Sequence, residues 1–328
     1  MLFNSVEFAI FFPLVFAIYW LIGRRNLTLQ NLFVLLASYT FYAFWDWRFL
    51  GLIIFSTLVD YSVGILLSKN FSKVKRKVLL GTSIALNLGL LGFFKYYNFF
   101  IESFVNAFSL FGQELRYSSL YIILPVGISF YTFQTLSYTI DIYRGKLSPT
   151  RNLLVFAAFV SFFPQLVAGP IERANHLLPQ FLNKRNFSYQ AASDGLRQIL
   201  WGLFKKMVIA DNCAVFVDRF FGDYQDYSGS TLLLGAFFFT IQIYCDFSGY
   251  SDIAIGTARL FGFDLMKNFN FPYFSRNIAE FWRRWHISLT TWFRDYVYIP
   301  MGGSWGSKAM QIRNTIVVFL IIGLWHGA

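Results

Sequence analysis

His326, near the end of the chain, is the residue whose type and setting best suit proton transfer. It follows an uncharged run, Asn314–Trp325, and lies thirteen positions after Arg313. In a helix this spacing carries the imidazole about 20 Å along the axis, deep into a hydrocarbon core that is roughly 30 Å thick. Burial disfavours the imidazolium form, so we expect a neutral ring that can accept a proton. The alternative is a buried packing residue without a chemical role.

A second histidine, His286, lies in a segment rich in tryptophan and arginine, 279–296. At helical spacing an apolar stripe runs through this segment, formed by Phe281, Trp285, Leu289, Trp292 and Tyr296. Tryptophans interleaved with arginines are typical of a helix at the level of the lipid headgroups, so the pattern predicts one interfacial helix. Arg283 and Arg284 leave a second interpretation open, because guanidinium groups bind the phosphates of an acyl donor such as coenzyme A.

A cluster of four polar side chains follows directly on the uncharged stretch 227–245, and it consists of Asp246, Ser248, Ser251 and Asp252. Polar groups inside a membrane are costly and need a compensating reason. Gly249 and Gly256 in the same stretch permit a close backbone approach or a break in the helix. We interpret the cluster as the lining of a cavity, and the alternative is an ordinary helix end.

The composition sets the environment in which these residues act. Of the 328 residues 56% are hydrophobic and only 14% are charged, and the mean hydropathy is +0.49. A soluble domain carries roughly a quarter of charged residues, so the sequence predicts an all-α polytopic membrane protein. We interpret the net charge of +11 as loops facing anionic membrane lipids, not as nucleic-acid binding. Cys213 and Cys245 have no CxxC spacing, and neither a disulfide framework nor a metal site is predicted.

Membrane helices must position the polar groups, and uncharged windows of about 20 residues locate those helices. The windows are 8–23, 26–45, 78–94, 117–140, 152–171, 227–245 and 314–328, with a further window, 49–68, that is interrupted only by Asp60. For Asp60 we favour a hydrogen bond between helices. Window 152–171 contains Pro164 and the Gly169-Pro170 pair, which remove helical hydrogen bonds. It is therefore predicted to be a broken or re-entrant segment.

The segments between these windows suggest an orientation. Residues 186–221 have the pattern of an amphipathic helix, with Trp201 and the Lys205-Lys206 pair at the membrane interface, and His176 is also expected to be interfacial. Alternate loops contain ten basic residues, namely Arg24, Arg25, Lys69, Lys73, Lys75, Arg76, Lys77, Arg144, Lys146 and Arg151. The intervening loops contain three, namely Arg48, Lys95 and Arg116. This bias predicts an extracytoplasmic N-terminus in a multi-pass protein of the bacterial cell membrane.

The chain resembles the bacterial membrane-bound O-acyltransferase (MBOAT) family, in particular its alginate O-acetylation type. The resemblance runs from end to end and rests on five motifs. These are residues 124–131 (LPVGISFY), 168–171 (AGPI), the 246–252 cluster, 280–289 (EFWRRWHISL) and 324–327 (LWHG). The last three together are highly specific to the family, whereas any one of them alone would only be suggestive.

The resemblance implies a multi-helix fold around a central funnel or tunnel, and transfer of an acyl group, usually acetyl, to a hydroxyl of an extracytoplasmic polysaccharide. It assigns the catalytic base to His326 and a supporting role to His286, where many relatives carry Asn or Asp. The expected donor is a cytoplasmic thioester such as acetyl-coenzyme A, with no permanently bound cofactor. An extracytoplasmic acetyltransferase is an expected partner. The alternatives are D-alanyl transfer to teichoic acid and a non-enzymatic polysaccharide transporter or scaffold.

The chain departs from the family pattern in one respect. Relatives continue through further helices after the Trp-His-Gly motif, whereas this sequence stops two residues after His326. We therefore expect a single integral-membrane acyltransferase domain, 1–328, that lacks its C-terminal helices. On this interpretation the 328-residue chain by itself has little activity.

Overall fold

The computed structural model describes residues 1–23, 26–109, 120, 122–167 and 169–327, and every regular element in these ranges is helical. In chain order these are α1 (Val6–Gly23), α2 (Leu27–Asp46), α3 (Leu50–Leu67), α4 (Lys73–Ser109), α5 (Ile128–Tyr143), α6 (Leu153–Ser161), α7 (Phe163–Leu166), α8 (Ala174–Leu182), α9 (Tyr189–Leu203), α10 (Asp211–Gly222), α11 (Gly229–Leu260), α12 (Ile278–Arg284), α13 (Ile287–Phe293) and α14 (Lys308–His326). Two π-helical segments, Phe204–Ala210 and Arg294–Tyr298, follow α9 and α13.

Five of the described helical stretches are long and apolar enough to cross a membrane. They are Val6–Gly23, Leu27–Leu67, Lys73–Phe108, Gly229–Leu260 and Lys308–His326. In the second stretch α2 continues into α3 through a short 3₁₀ turn, Trp47–Phe49. The predicted all-α, multi-pass membrane protein is thereby confirmed. The orientation of its N-terminus stays a prediction, and Arg24, Arg25, Arg116 and Ala168, which entered the sequence argument, lie outside the described residues.

Three membrane helices differ in extent from the uncharged windows that predicted them. Helix α4 continues fifteen residues past position 94, so that Lys95 lies inside the helix and not in a loop. Helix α11 likewise continues past position 245 to Leu260, whereas α5 begins only at Ile128. The charges inside α4 and α11 are tolerated because they have polar partners: Lys95 donates to a backbone carbonyl oxygen, and Asp252 forms an ion pair. For α4 and α11 the uncharged window is therefore a lower bound on helix length, whereas α5 is shorter than its window.

The described residues cluster into two compact units. The first comprises Met1–Leu50 and Leu154–Ser288, and the second comprises Gly51–Leu153 and Leu289–Ala328. Each unit is formed from two stretches of sequence and has its own buried core. The single domain over 1–328 and the central funnel or tunnel stay predictions.

In the first unit, the closest helix packing is between α9 and α11. Gly195 faces Gly256 and Gly202 faces Gly249, an order that makes the two helices antiparallel. A Cβ atom at Gly202 would lie 2.6 Å from the carbonyl oxygen of Gly249, and one at Gly256 would lie 2.5 Å from that of Gly195. Small residues of this kind let helix backbones touch inside a membrane. Gly249 and Gly256 thus allow the two helices to approach closely, and α11 is continuous.

The predicted break in window 152–171 is present, also in the first unit. Helix α6 ends at Ser161 and the short α7 begins at Phe163 with Pro164 in its first turn, where the missing N–H of proline is not needed. The backbone N–H of Phe163 donates instead to the Ser38 hydroxyl at 3.1 Å. Residues 155–166 are buried in protein, which is the condition under which an interrupted helix survives at membrane depth.

In the second unit, Asp60 joins three helices. Its carboxylate accepts hydrogen bonds from Ser83 at 2.5 Å and from Asn87 at 2.8 Å, both on α4. The Ser83 hydroxyl also lies 3.2 Å from that of Thr139 on α5. Asp60 is fully buried. The predicted hydrogen bond between helices is therefore confirmed, and it explains why a carboxyl group is tolerated inside α3.

The close approach of α9 and α11 yields a stability prediction. We expect Gly202→Ala and Gly256→Ala each to destabilise the protein by about 1–3 kcal/mol, because each new methyl group would overlap a backbone carbonyl. The measurement is the thermal unfolding midpoint of the detergent-purified protein. Gly81→Ala in α4 is the control, since a Cβ there meets nothing within 4 Å. Equal midpoints for all three variants would show that the glycine contacts do not matter.

Candidate functional site

His286 lies at a break between two short helices, and the predicted continuous interfacial helix over 279–296 is wrong. Helix α12 ends at Arg284 and α13 begins at Ile287. Between them His286 adopts a left-handed backbone conformation with φ of +42°. Hydrophobic spacing did not reveal the break because the apolar side chains continue at helical intervals on both sides of it. Of the predicted stripe, Leu289 and Trp292 are buried, so they pack in the protein core and do not form a surface that faces lipid.

The ring of His286 is held in an aromatic setting. It is 3% exposed, with its centroid 4.7 Å from that of Phe247 and 6.4 Å from that of Phe269. A left-handed conformation costs a non-glycine residue of the order of 1 kcal/mol or more and is found preferentially at functional sites. The geometry is consistent with the supporting role implied by the family resemblance, and that role stays a prediction.

Asn268 fixes the His286 turn to two other segments of the first unit. Its backbone oxygen accepts from the N–H of Ile287 at 2.8 Å, and its side-chain oxygen accepts from the Ser288 hydroxyl at 2.9 Å. Its side-chain amide donates to the Ser251 hydroxyl on α11 at 3.1 Å. The Ser288 hydroxyl accepts in turn from the N–H of Ile171 at 3.0 Å. Asn268, which sequence reasoning missed, therefore joins two of the motifs that carry the family resemblance, and Ser288 joins a third motif to them.

Three members of the polar cluster on α11 line a cavity of about 260 Å³ in the first unit. Lys205, which is 6% exposed, donates to the Ser248 hydroxyl at 3.0 Å and forms an ion pair with Asp252. Gln198 donates to the other carboxylate oxygen of Asp252 at 2.9 Å. The lining residues are Gln198, Trp201, Lys205, Tyr244, Ser248, Ser251, Asp252, Ile255, Lys267, Asn268, Phe269, Asn270 and Phe271. A charged pair and several hydroxyl and amide groups thus surround a space large enough for a small polar group.

Each of the two adjacent lysines has turned towards carboxylates, and their position at the membrane interface stays a prediction. Lys206 contacts Asp211 at 2.7 Å and the fourth cluster member, Asp246, at 2.6 Å. Burial opposes the charge of Lys206, but its hydrogen bonds to these two carboxylates raise its pKa above the ordinary value. Trp201 is exposed, in agreement with an interfacial position. The lysines are thus internal counter-ions for the aspartates of α11 and its neighbour.

Arg283 and Arg284 differ in their surroundings. Arg284 forms an ion pair with Glu280 at 2.6 Å, and Arg276 contacts the same carboxylate at 3.2 Å. Hydrogen bonds from the backbone and side chain of Arg276 lower the pKa of Glu280 to about 2. Arg283 is exposed. Of the two arginines proposed to bind phosphate, Arg283 is therefore the more available, and phosphate binding by either stays a prediction.

His176 belongs to a polar group that the sequence did not indicate. It lies on α8 and not in a loop, and its Nδ1 is 2.7 Å from the buried carboxylate of Glu172. Its Nε2 is 3.5 Å from Asp264. The hydrogen bond with Glu172 raises the pKa of His176, which partial burial opposes. The same carboxylate accepts the backbone N–H of Met266, so the group joins α8 to the segment after α11.

In the second unit, α14 carries His326 on its last turn. The helix begins after Ser307, whose hydroxyl caps it, and it is continuous to His326 as predicted. The ring is exposed at the surface of the described chain, and its depth in the membrane stays a prediction. Its Nδ1 is 2.8 Å from the carbonyl oxygen of Ile322. Because a carbonyl oxygen can only accept, Nδ1 carries the proton and the lone pair of the neutral ring lies on Nε2.

Two residues of α4 hold the last turn of α14 in place, and sequence reasoning missed both. The Tyr96 hydroxyl donates to the carbonyl oxygen of Leu324 at 2.5 Å, and the Lys95 ammonium group donates to that of Trp325. The backbone N–H of Gly327 donates to Gly323. These are terminal carbonyl groups that a helix cannot satisfy internally, and a cation there also interacts favourably with the helix dipole. The interruption of an apolar run by Lys95-Tyr96 is the signal that could have identified them.

A mainly apolar cavity of about 430 Å³ lies beside this turn, also in the second unit. Trp292 and Trp325 form part of its wall, and Phe133 packs against both rings at 4.5 and 5.7 Å between centroids. The indole N–H of Trp292 donates to the carbonyl oxygen of Phe133 at 3.0 Å. Trp325, the residue before His326, thus packs against aromatic side chains, and this packing restricts the position of the last turn of α14.

The ion pair in the polar cavity yields a second prediction. We expect Asp252→Asn to destabilise the protein by roughly 3 kcal/mol, because it leaves the buried Lys205 without its counter-ion. Removing both charges, in Lys205→Met with Asp252→Leu, should destabilise it less. The control is Asp194→Asn on α9, an exposed residue 3.5 Å from Arg197, with an expected effect within about 0.5 kcal/mol. Equal effects of the two Asp→Asn changes in thermal unfolding would contradict the role of the pair.

Comparison with known proteins supports the family resemblance. The family model "MBOAT, membrane-bound O-acyltransferase family" matches residues 145–328. Over its whole length the chain is 44% identical to "Probable alginate O-acetylase AlgI" of Pseudomonas syringae pv. tomato, and 37% identical to "Peptidoglycan O-acetyltransferase" of Helicobacter pylori. It is 29% identical, over 62% of its length, to "Teichoic acid D-alanyltransferase" of Bacillus subtilis, of which the match covers 53%.

These relatives are longer than the chain. It spans 62% of the Pseudomonas protein and 67% of the Helicobacter protein. The matched region of the family model covers more than half of the chain and includes the polar cluster, the His286 turn and His326. The resemblance predicted from the motifs is confirmed, and the chain belongs to the membrane-bound O-acyltransferase family.

Proposed function

We propose that the complete protein transfers an acyl group, in particular acetyl, from a cytoplasmic thioester such as acetyl-coenzyme A to a hydroxyl of an extracytoplasmic polysaccharide. The acetyl group passes to the polymer directly or through a partner acetyltransferase. Family membership and the acetylase and acetyltransferase names of two relatives support the reaction class. The observation that carries the proposal is the hydrogen bond from Nδ1 of His326 to Ile322, which leaves the lone pair on Nε2 at the end of an apolar helix.

The proposed chemistry uses this lone pair. Nε2 of His326 takes the proton of the acceptor hydroxyl as its oxygen attacks the thioester carbonyl carbon, so that a C–O bond forms and an oxyanion develops. The oxyanion collapses, the C–S bond breaks, and the leaving thiolate takes the proton from the imidazolium group. Such general-base catalysis contributes roughly 10²–10⁴-fold. The sequence contains one Gly-x-Ser-x-Gly match, 302–306, which lies in the irregular segment before α14. The serine nucleophile of such a motif needs a sharp turn between a strand and a helix, and every regular element among the described residues is helical, so a serine acyl-enzyme is an unattractive alternative.

The other predicted site residues receive proposed roles in binding. We assign a supporting role to His286, whose buried ring and strained backbone are fixed by Asn268 and two phenylalanines. Ser248, Ser251 and Asp252 line the polar cavity, and we assign them to the binding of a polar part of a substrate. Asp246 supports them indirectly through its ion pair with Lys206. Arg283 and Arg284 are assigned to the phosphates of the donor.

The decisive experiment replaces His326 with Ala in the complete protein. We expect transfer of acetyl from acetyl-coenzyme A to polymer in isolated membranes to fall by at least about 10²-fold at equal protein level. His286→Asn, a residue type that the family resemblance implies at this position, should retain measurable turnover. Undiminished transfer by His326→Ala would refute the base assignment.

The same assay separates the alternatives. The identity with a teichoic acid D-alanyltransferase favours D-alanyl transfer as the second candidate. In that case acetyl-coenzyme A would stay intact while a D-alanyl thioester on a carrier protein is consumed. A transporter or scaffold would consume neither thioester, in wild type or variant.

Tyr96 provides a test of how the His326 turn is positioned. Tyr96→Phe removes the hydrogen bond to Leu324 but leaves the ring in place. We expect kcat to fall roughly fivefold, the equivalent of one hydrogen bond of about 1 kcal/mol, with KM unchanged because no substrate contact is lost. Tyr97→Phe, which removes the neighbouring hydroxyl, should leave kcat unchanged. An increase in KM for Tyr96→Phe with constant kcat would instead indicate a role in binding.

A further inference from the structure

Arg185 in the first unit is a buried cation whose partners are all uncharged. The residue is 6% exposed. It donates to the carbonyl oxygen of Gln180 at 3.2 Å and to the side-chain oxygens of Gln30 at 2.9 Å and Asn31 at 2.6 Å. Its guanidinium carbon also lies 4.7 Å from the ring centre of Phe263. In the described part of the chain, no carboxylate lies within ion-pair distance of Arg185.

This arrangement leaves a charge without compensation. Burial lowers the pKa of Arg185, but a guanidinium group stays protonated in proteins. A buried cation normally has an anionic partner, because neutral hydrogen-bond acceptors recover only part of the solvation that is lost on burial. Among the described residues, the other buried cation follows the rule, since Lys205 pairs with Asp252. The half-buried Lys206 also pairs with two carboxylates, those of Asp211 and Asp246.

Two hydrogen-bond donors at the same place also lack an acceptor. Nε of Arg185 and Nε2 of Gln30 are both buried and have no hydrogen bond among the described residues. Both atoms are donors, so the missing group is an acceptor, as an anion would provide. Gln30 lies directly against Gly23, where a Cβ would be only 2.0 Å from its Nε2. Each buried donor without a partner is unfavourable. The two donors without acceptors and the uncompensated charge of Arg185 together point to a ligand.

A cavity of about 420 Å³ adjoins this cluster. It is lined by Phe16, Trp20, Gly23, Lys184, Arg185, Asn186 and Phe187. Two cations therefore face a space that also has aromatic walls, and the carboxamide of Asn186 is its remaining polar side chain. Trp20 and Gly23 belong to the last turns of α1, so the cavity lies at one end of a membrane-crossing helix. This is the depth at which phospholipid headgroups meet a membrane protein.

We propose that this cavity at the end of α1 binds the phosphate group of an anionic phospholipid, with Lys184 and Arg185 as its counter-charges. Phosphate is the shared chemistry of a lipid headgroup and of free phosphate, and the aromatic walls and the position on a membrane helix favour the lipid. Exposed apolar side chains of α1, among them Ile18 and Leu21, continue from the same end of the helix and can contact the acyl chains. The proposal is independent of the catalytic function proposed above.

The test measures stabilisation by lipid. The complete protein is purified in detergent, and its thermal unfolding midpoint is followed during titration with phosphatidylglycerol, phosphatidylcholine or inorganic phosphate. We expect phosphatidylglycerol to raise the midpoint saturably and the other two to have little effect. Lys184→Ala should weaken the apparent affinity roughly fivefold, as expected for the loss of one cation near a headgroup. Lys69→Ala, which removes an exposed lysine just after α3, is the matched control and should leave the affinity unchanged.

Arg185 is tested by two further variants. Arg185→Gln should abolish the response to phosphatidylglycerol, and Arg185→Lys should retain part of it because the charge is kept. Since Arg185 is buried and its variants can fail to fold, Lys184→Ala, at an exposed position, keeps the test independent of them. An equal response to phosphatidylglycerol in wild type, Lys184→Ala and Lys69→Ala would overturn the site. A response to inorganic phosphate as large as that to phosphatidylglycerol would overturn the assignment to a lipid.

Discussion

Every polar group inside the hydrocarbon core must find its partner within the protein, and this constraint organises both units. In the second unit it is met by the carboxylate of Asp60, which receives hydrogen bonds from α4, and by Lys95 and Tyr96, which satisfy terminal carbonyl groups of α14. In the first unit it is met by Lys205, which neutralises Asp252. In each case a polar residue that looks unfavourable on its own helix specifies which neighbour that helix packs against. Apolar side chains alone discriminate poorly between neighbouring helices in a membrane, because the lipid tails are equally apolar. The hydrogen bonds and ion pairs of the polar side chains therefore determine which helices pack together.

The sequence predicted the features that depend on one segment alone. Apolar composition over about 20 residues indicated the membrane helices, and Pro164 with Gly169-Pro170 indicated the break in window 152–171, because both signals are local. Pairings between distant segments were not predictable in this way. Asn268 lies in a stretch without any motif, yet it joins the His286 turn to Ser251. Nothing in the local sequence of such a residue states which distant hydroxyl or carbonyl it will meet.

The adjacent lysines have ion-pair partners that the sequence pattern did not reveal. A basic pair beside Trp201 on an amphipathic helix fits the membrane interface, and the helix is present. The two reciprocal glycine contacts, however, bring α9 so close to α11 that the side chains beyond them reach the aspartates of α11. The π-helical segment Phe204–Ala210 begins at this point and changes the angular spacing of successive residues. Lys205 and Lys206 consequently face different carboxylates. This outcome depends on the distance between the two helices, which the periodicity of the sequence does not predict.

Buried polar groups that lack a hydrogen-bond partner within the protein are the most informative about function. For most buried polar groups on these helices the partner is a side chain or a carbonyl oxygen of the same unit, and the group is explained by structure alone. Arg185 and Gln30 are among the exceptions, and they are neighbours, so that two buried donors at one place need more acceptors than the described residues supply. His326 differs in another way: its Nδ1 is committed to Ile322, and this fixes the identity of the nitrogen that can accept a proton. Asp60 and Ser83 thus close their hydrogen bonds within one unit, whereas Arg185 and Gln30 retain buried donors for which the described residues supply no acceptor.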